Sequence, residues 1–105
     1  MNEVKIIKNS DENIEVVSAR VNNDEDGYWL VGEVKNVSAE KLDYVGVVVA
    51  IKDKEDQMID SVLVYILGDS SLKTGEIGYF KYVMPMAVKK LVGVTLIIVP
   101  FSQVV

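Results

Sequence analysis

The chain contains no cysteine and no histidine. Without cysteine there is no disulfide, no thiolate metal site and no sulfur nucleophile. Without histidine the usual general base, the commonest transition-metal ligand and the side chain that titrates near neutrality are all missing. Basic residues are in the minority, 11 Lys and Arg against 16 Asp and Glu, for a net charge of −5. Nucleic-acid binding needs clustered cations that release counterions from phosphate, and the only adjacent basic pair is Lys89-Lys90, so nucleic acid is not an expected partner. No stretch approaches the ~18 apolar residues that cross a bilayer; the longest run, "LVGVTLIIVPF" from Leu91 to Phe101, reads as a buried strand, and direct membrane insertion is not expected. The opening "MNEVKIIKNS" holds no segment of secretory length, which points to a cytoplasmic chain or a domain cut from a longer protein.

What is present is the composition of one globular domain. Half of the 105 residues are apolar and about a quarter charged. A chain of this length buries roughly two-thirds of its unfolded surface, enough for a core without covalent staples, so residues 1–105 are expected to form a single domain.

Period-two alternation and β-branched residues run the length of the chain. They place strands near 3–8, 14–21, 28–36, 42–52, 58–67, 76–84 and 90–99. The intervening "NSDEN", "NNDEDG", "NVSAEK", "DKEDQ", "GDSSLKTG" and "PMAVKK" carry the Asn, Asp, Gly, Ser and Pro that turns use. A short helix is expected only around "GDSSLK". Seven strands with short breaks predict an all-β protein, an immunoglobulin-like antiparallel sandwich. Alternation places Val45, Val47, Val49 and Ile51, with Val92, Val94, Leu96 and Ile98, in the core.

The stretches "VGEVKN" (Val31 to Asn36), "VGVVVAIKDKEDQMI" (Val45 to Ile59), "LKTGEIGYF" (Leu72 to Phe80) and "LVGVTLII" together resemble the FxLYD-type domains of bacteria and archaea, over about residues 28–99. Gly32, Val34 and Asn36, then Asp53, then Gly75, Glu76 and Phe80 carry the resemblance. The name-giving stretch reads "VAIKD" here, keeping Asp53 with Ile51 as a conservative exchange, and Thr74 stands where proline is usual. The resemblance implies an immunoglobulin-like sandwich without catalytic activity, borne on exported or membrane-anchored proteins, and hence an extracytoplasmic or cell-surface location. The residues themselves are compatible with the cytoplasm as well. Gly32 in mid-strand suggests a bulge or the close approach of another backbone, and Asn36 is suited to closing the next turn with its side-chain amide.

Several segments bear on chemistry. "NNDEDGYWLVGE" fits a calcium-loop pattern, with Asn22, Asp24 and Asp26 as oxygen ligands, Gly27 at the turn and Glu33 closing. The same residues also read as a hairpin, since Asp26-Gly27 is a favoured turn pair between β-rich flanks. An extended strand from Tyr28 would carry Glu33 roughly 20 Å away from Asp26. A weaker site built on Asp24 and Asp26, making the domain a calcium-dependent module, is the main alternative function; otherwise no metal or cofactor is expected. A second acidic group, Asp53, Glu55, Asp56 and Asp60, reads as a solvated hairpin interleaved with Lys54. Tyr28, Trp29, Tyr44, Tyr65, Tyr79 and Tyr82 are candidates for a sugar-stacking platform, although aromatic residues fill strands for packing reasons alone. Asn36-Val37-Ser38 is a glycosylation sequon. No GxSxG or SxxK pattern occurs and no carboxyl is marked as buried beside an apolar pocket, so no catalytic residue is assigned and the chain is not expected to be an enzyme.

The most informative positive signal is the second face of two strands. Opposite the core residues of the fourth run lie Tyr44, Gly46, Val48 and Ala50; opposite those of the last run lie Leu91, Gly93, Thr95, Ile97 and Val99. A solvent-facing antiparallel sheet should alternate toward polar residues, and these two do not. If the two strands are neighbours, as the C and F strands of an immunoglobulin-like sheet are, their outer faces merge into one apolar patch. Tyr44, Val48, Ala50, Thr95 and Ile97 are therefore the expected contact residues for a protein partner or a second copy of the chain. The competing expectation is that the tail "FSQVV" or the first strand folds over the patch.

Overall fold

The computed structural model describes residues 4–24, 27–84 and 93–103. They form seven strands: β1 (Val4–Lys8), β2 (Ile14–Asp24), β3 (Gly27–Asn36), β4 (Asp43–Lys52), β5 (Met58–Tyr65), β6 (Ile77–Val83) and β7 (Val94–Gln103). Two sheets result, one ordered β1-β7-β4-β5 and the other β2-β3-β6. Every pairing is antiparallel except β1 with β7, which run parallel in the register Lys5↔Thr95 and Ile7↔Ile97. The expectation of a wholly antiparallel sandwich is corrected at that edge: β1 lies beside the last strand of the chain rather than its sequence neighbour, because residues 9–13 carry the chain into the other sheet, where Ile14 begins β2.

The inner faces meet in one core. Val45, Val47, Val49 and Ile51 of β4 and Val94, Leu96 and Ile98 of β7 are buried, as alternation predicts, against Ile14, Val16, Leu30, Val34 and Phe80 of the other sheet. Val92, the remaining predicted core residue, lies outside the described residues. Gly32 shows why a glycine interrupts β3. A Cβ there would run into the Phe80 ring and the Ser18 carbonyl, which is the close approach of a second backbone expected from its place in mid-strand. Ser18 reaches that position because β2 is irregular between Val16 and Ser18, leaving Val17 out of the ladder and exposed.

The loops are built from side chains that bond their own backbone. Asp53 accepts from the amides of Glu55 and Gln57 at 3.0 and 2.9 Å, closing the turn between β4 and β5. The helix expected around "GDSSLK" is absent. Gly68 and Ser70 adopt positive φ of 95° and 60°, Asp69 accepts from the Ser71 amide at 3.0 Å, and Leu72 pairs with Leu42. Two left-handed residues within three positions leave no room for a helical turn.

Asn36 is the one buried polar residue of the described core, fully out of solvent. Its Nδ2 donates to the carbonyls of Glu40 at 2.8 Å and Leu72 at 2.9 Å, while its Oδ1 accepts from the Ser38 amide at 2.9 Å and the Ser38 hydroxyl at 2.7 Å. It closes the turn after β3, as expected, and ties that turn to the segment before β6. Every polar group of the side chain is matched, as burial demands.

Candidate interaction face

Strands β4 and β7 are hydrogen-bonded neighbours, so their outer residues do lie side by side. The registers extend the rows across the whole four-stranded sheet. Ile7, Ile97, Ala50 and Ser61 form one row; Val99, Val48 and Leu63 the next; Phe101, Gly46 and Tyr65 the third. No ionised side chain interrupts these three rows. Val99, Leu63 and Tyr65 are 41%, 49% and 47% exposed, and Ile7, Ile97, Val48, Ala50 and Phe101 are half-buried. The charged margin begins one row further, where Thr95 lies between Lys5 and Lys52.

At the third row the face is aromatic. The Phe101 ring meets Tyr65 edge-on, with centroids 5.5 Å apart and planes at 73°. It sits over Gly46, where a Cβ would stand 2.7 Å from the ring and 2.5 Å from the Val64 carbonyl. Glycine is required here so that the ring can lie against the strand.

The outer face of the three-stranded sheet provides an internal contrast. There Arg20, Glu33, Lys35 and Lys81 are interspersed with Trp29, Val31, Ile77, Tyr79 and Val83. The Lys81 ammonium stands 4.4 Å from the centroid of the Trp29 ring. That face carries four charged residues among its apolar ones, and the three rows of the four-stranded sheet carry none.

Of the five expected contact residues, Val48, Ala50 and Ile97 fall within the apolar rows and Thr95 at the charged margin. Tyr44 departs from the row. The register breaks between Asp43 and Gly46, and Tyr44 takes a positive φ of 53°, so the alternation that assigned its face does not reach it; its side chain is 52% exposed. Leu91 lies outside the described residues. Four apolar members of the face were not assigned to it from sequence: Ile7, Leu63, Tyr65 and Phe101. Phe101 continues the period of Thr95, Ile97 and Val99, and extending that alternation past Pro100 would have found it. Ile7, Leu63 and Tyr65 required knowing which strands flank the central pair. Among the described residues, neither the tail nor the first strand folds over the rows. Residues 101–103 prolong β7 within the sheet, and β1 adds to its edge.

The other candidate sites are dispersed. Backbone pairing of β2 with β3 runs to Asp24↔Gly27, and Glu33 lies in mid-strand opposite Ser18 and Tyr79. Glu33 cannot close an ion loop at that turn. Asp26 lies outside the described residues, and so does the Asp24 side chain. Among the described residues no three acidic groups come together. In the second acidic segment, the Asp53 carboxylate already accepts two backbone amides and Asp56 pairs with Lys52 at 3.3 Å. The aromatic residues do not form one platform: Tyr28 and Tyr82 pack against the core, Trp29 and Tyr79 lie on the outer face of the three-stranded sheet, and Tyr65 on that of the other. The Tyr82 hydroxyl is held above the usual phenol range, by burial first and the nearby Asp60 carboxylate second.

Comparison with family models, with curated proteins and with solved structures finds no match to this chain.

Proposed function

We propose that this chain is a non-catalytic interaction module, an immunoglobulin-like sandwich of the FxLYD type that docks another protein on the outer face of its four-stranded sheet. The observation that carries the reading is the three rows from Ile7 to Tyr65, free of ionised side chains and apolar save for Ser61, on a sheet whose inner face is already committed to the core. An exposed apolar surface of this kind is retained where a partner covers it. A sheet face suits another macromolecular surface, whereas small molecules are held in concave pockets with convergent polar groups. The immunoglobulin-like assignment is supported by seven strands in two sheets, with β3 at the centre of one and β4 and β7 paired at the centre of the other. A location on the outer side of a prokaryotic cell follows from the FxLYD resemblance.

A photoreactive residue at position 48 tests the reading, with the same probe at position 79 on the polar outer face as control. The expected result is an adduct of discrete mass from position 48 that Ile97→Lys suppresses and position 79 does not give. The Ile97→Lys domain itself should lose no more than about 1 kcal/mol of stability, because the lysine stem lies along the surface with its ammonium in water. Equal adduct patterns from positions 48 and 79, or none from 48, would overturn the proposal.

A further inference from the structure

Strand β5 ends the four-stranded sheet among the described residues, and beyond Asp60 its free edge carries no guarding charge. The Ile66 amide donates to the Val45 carbonyl at 3.1 Å, which marks Val45 and Ile66 as a hydrogen-bonding position of the ladder even though the Val45 amide itself donates to the Ser70 carbonyl at 2.8 Å. In an antiparallel ladder such pairs recur at every second residue, so Val47↔Val64 and Val49↔Val62 are also bonded, and Ser61, Leu63 and Tyr65 turn their N–H and C=O groups away from β4. Beyond Tyr65 the edge is occupied, because the Leu67 amide donates to the Tyr79 carbonyl at 2.8 Å. The Ser61 amide is held by the Asp60 carboxylate at 2.8 Å. Among the described residues, nothing pairs with the amides of Leu63 and Tyr65 or with the carbonyls of all three residues.

Edge strands ordinarily carry a charge, a proline or a bulge that discourages pairing. The other edges have such devices: Lys5 and Lys8 on the short β1, Glu15, Arg20 and an irregularity on β2, Lys81 on β6. From Ser61 to Gly68, "SVLVYILG", there is no charge and no proline, and the irregularity of β5 is confined to its start, opposite Ile51 and Lys52.

We infer that β5 is a homotypic edge: two copies of the chain join antiparallel, β5 against β5, about a two-fold axis at Leu63, making one continuous sheet of the two. The occupant is a second copy because the open groups are complementary to themselves. With Leu63 opposite its own counterpart, Ser61 faces Tyr65 of the other copy, so the open set maps onto itself. Two hydrogen bonds form at the Leu63 pair, and each Tyr65 amide reaches a Ser61 carbonyl. Asp60 then faces Ile66 of the other copy, so no like charges are opposed, although the chain as a whole is acidic. Such an isologous contact closes at two copies. It rests on the backbone edge and stands or falls separately from the docking face.

Sedimentation equilibrium up to about 1 mM, the weak end of specific association, is combined with amide exchange on the unaltered protein. The expected result is a dimer, with the Leu63 and Tyr65 amides slowed about tenfold or more between dilute and concentrated protein. Leu63→Pro removes an N–H that β4 does not use and should give a monomer with a native melt; Tyr65→Pro does the same at a second position. Val48→Lys with Ile97→Lys should remain a dimer. A monomer throughout, a dimer whose Leu63 and Tyr65 amides exchange freely, or a dimer lost with the face variant and kept with both prolines would each overturn the inference.

Discussion

The side-chain amide of Asn36 donates to the Leu72 carbonyl at 2.9 Å, across 36 positions of sequence and in the dry interior. That bond joins the end of β3 to the segment that leads into β6, and its companion to Glu40 closes the turn between β3 and β4. Asn36→Ala would take the acceptor from the Ser38 amide and one donor from each of two carbonyls, of which Leu72 keeps the Leu42 amide and Glu40 keeps the Ser38 hydroxyl. An unsatisfied buried polar group costs ~1–3 kcal/mol. The expected loss is about 2–4 kcal/mol by chemical denaturation, and a variant within about 0.5 kcal/mol of the parent would show that water replaces the amide without penalty. The same burial takes the sequon nitrogen out of reach in the folded domain, since both Nδ2 protons are bonded.

Gly46 is expected to resist even alanine. The added methyl meets both the Phe101 ring and the Val64 carbonyl, and only the ring can move. Gly46→Ala should therefore destabilise by about 1–3 kcal/mol, as overpacking does, and pairing it with Phe101→Ala should recover only part of that. Full recovery in the double variant would mean that the backbone contact is relieved by a shift of β5.

Tyr82 makes alkaline stability diagnostic. Its hydroxyl is raised above 10.0 in the folded domain, by burial and then by Asp60, so the folded state favours the neutral phenol. A group with a raised folded value contributes stability that is complete below its unfolded value and is lost as pH rises through the folded one. Above about pH 10 the parent should lose stability that Tyr82→Phe retains, read from denaturation midpoints. Asp60→Asn should lower the Tyr82 titration only partly in an ultraviolet phenolate titration, because burial is the larger cause. A return to the ordinary phenol value in that variant would reverse the order of the causes.

Much of the architecture was legible because the signals are local. Period-two alternation located all seven strands to within a few residues, and the buried rows of β4 and β7 follow from the same period. Turn chemistry at Asn36 and Asp53 is equally local, since each side chain bonds backbone a few residues on. Alternation failed at Tyr44, where a left-handed residue breaks the period, and around Ser70, where two positive φ angles replace the expected helix.

The residue pattern alone therefore determined the strands, their inner faces and the apolar character of both sides of β4 and β7. Tertiary pairing decided what those faces border. It set β1 parallel to β7, brought Ile7, Leu63 and Tyr65 into the outer rows, kept Phe101 in the sheet, and left β5 at an open edge. The division has a physical cause. Which face a side chain occupies is set by the pleat of its own strand, whereas which strands are neighbours is set by contacts between segments far apart in sequence.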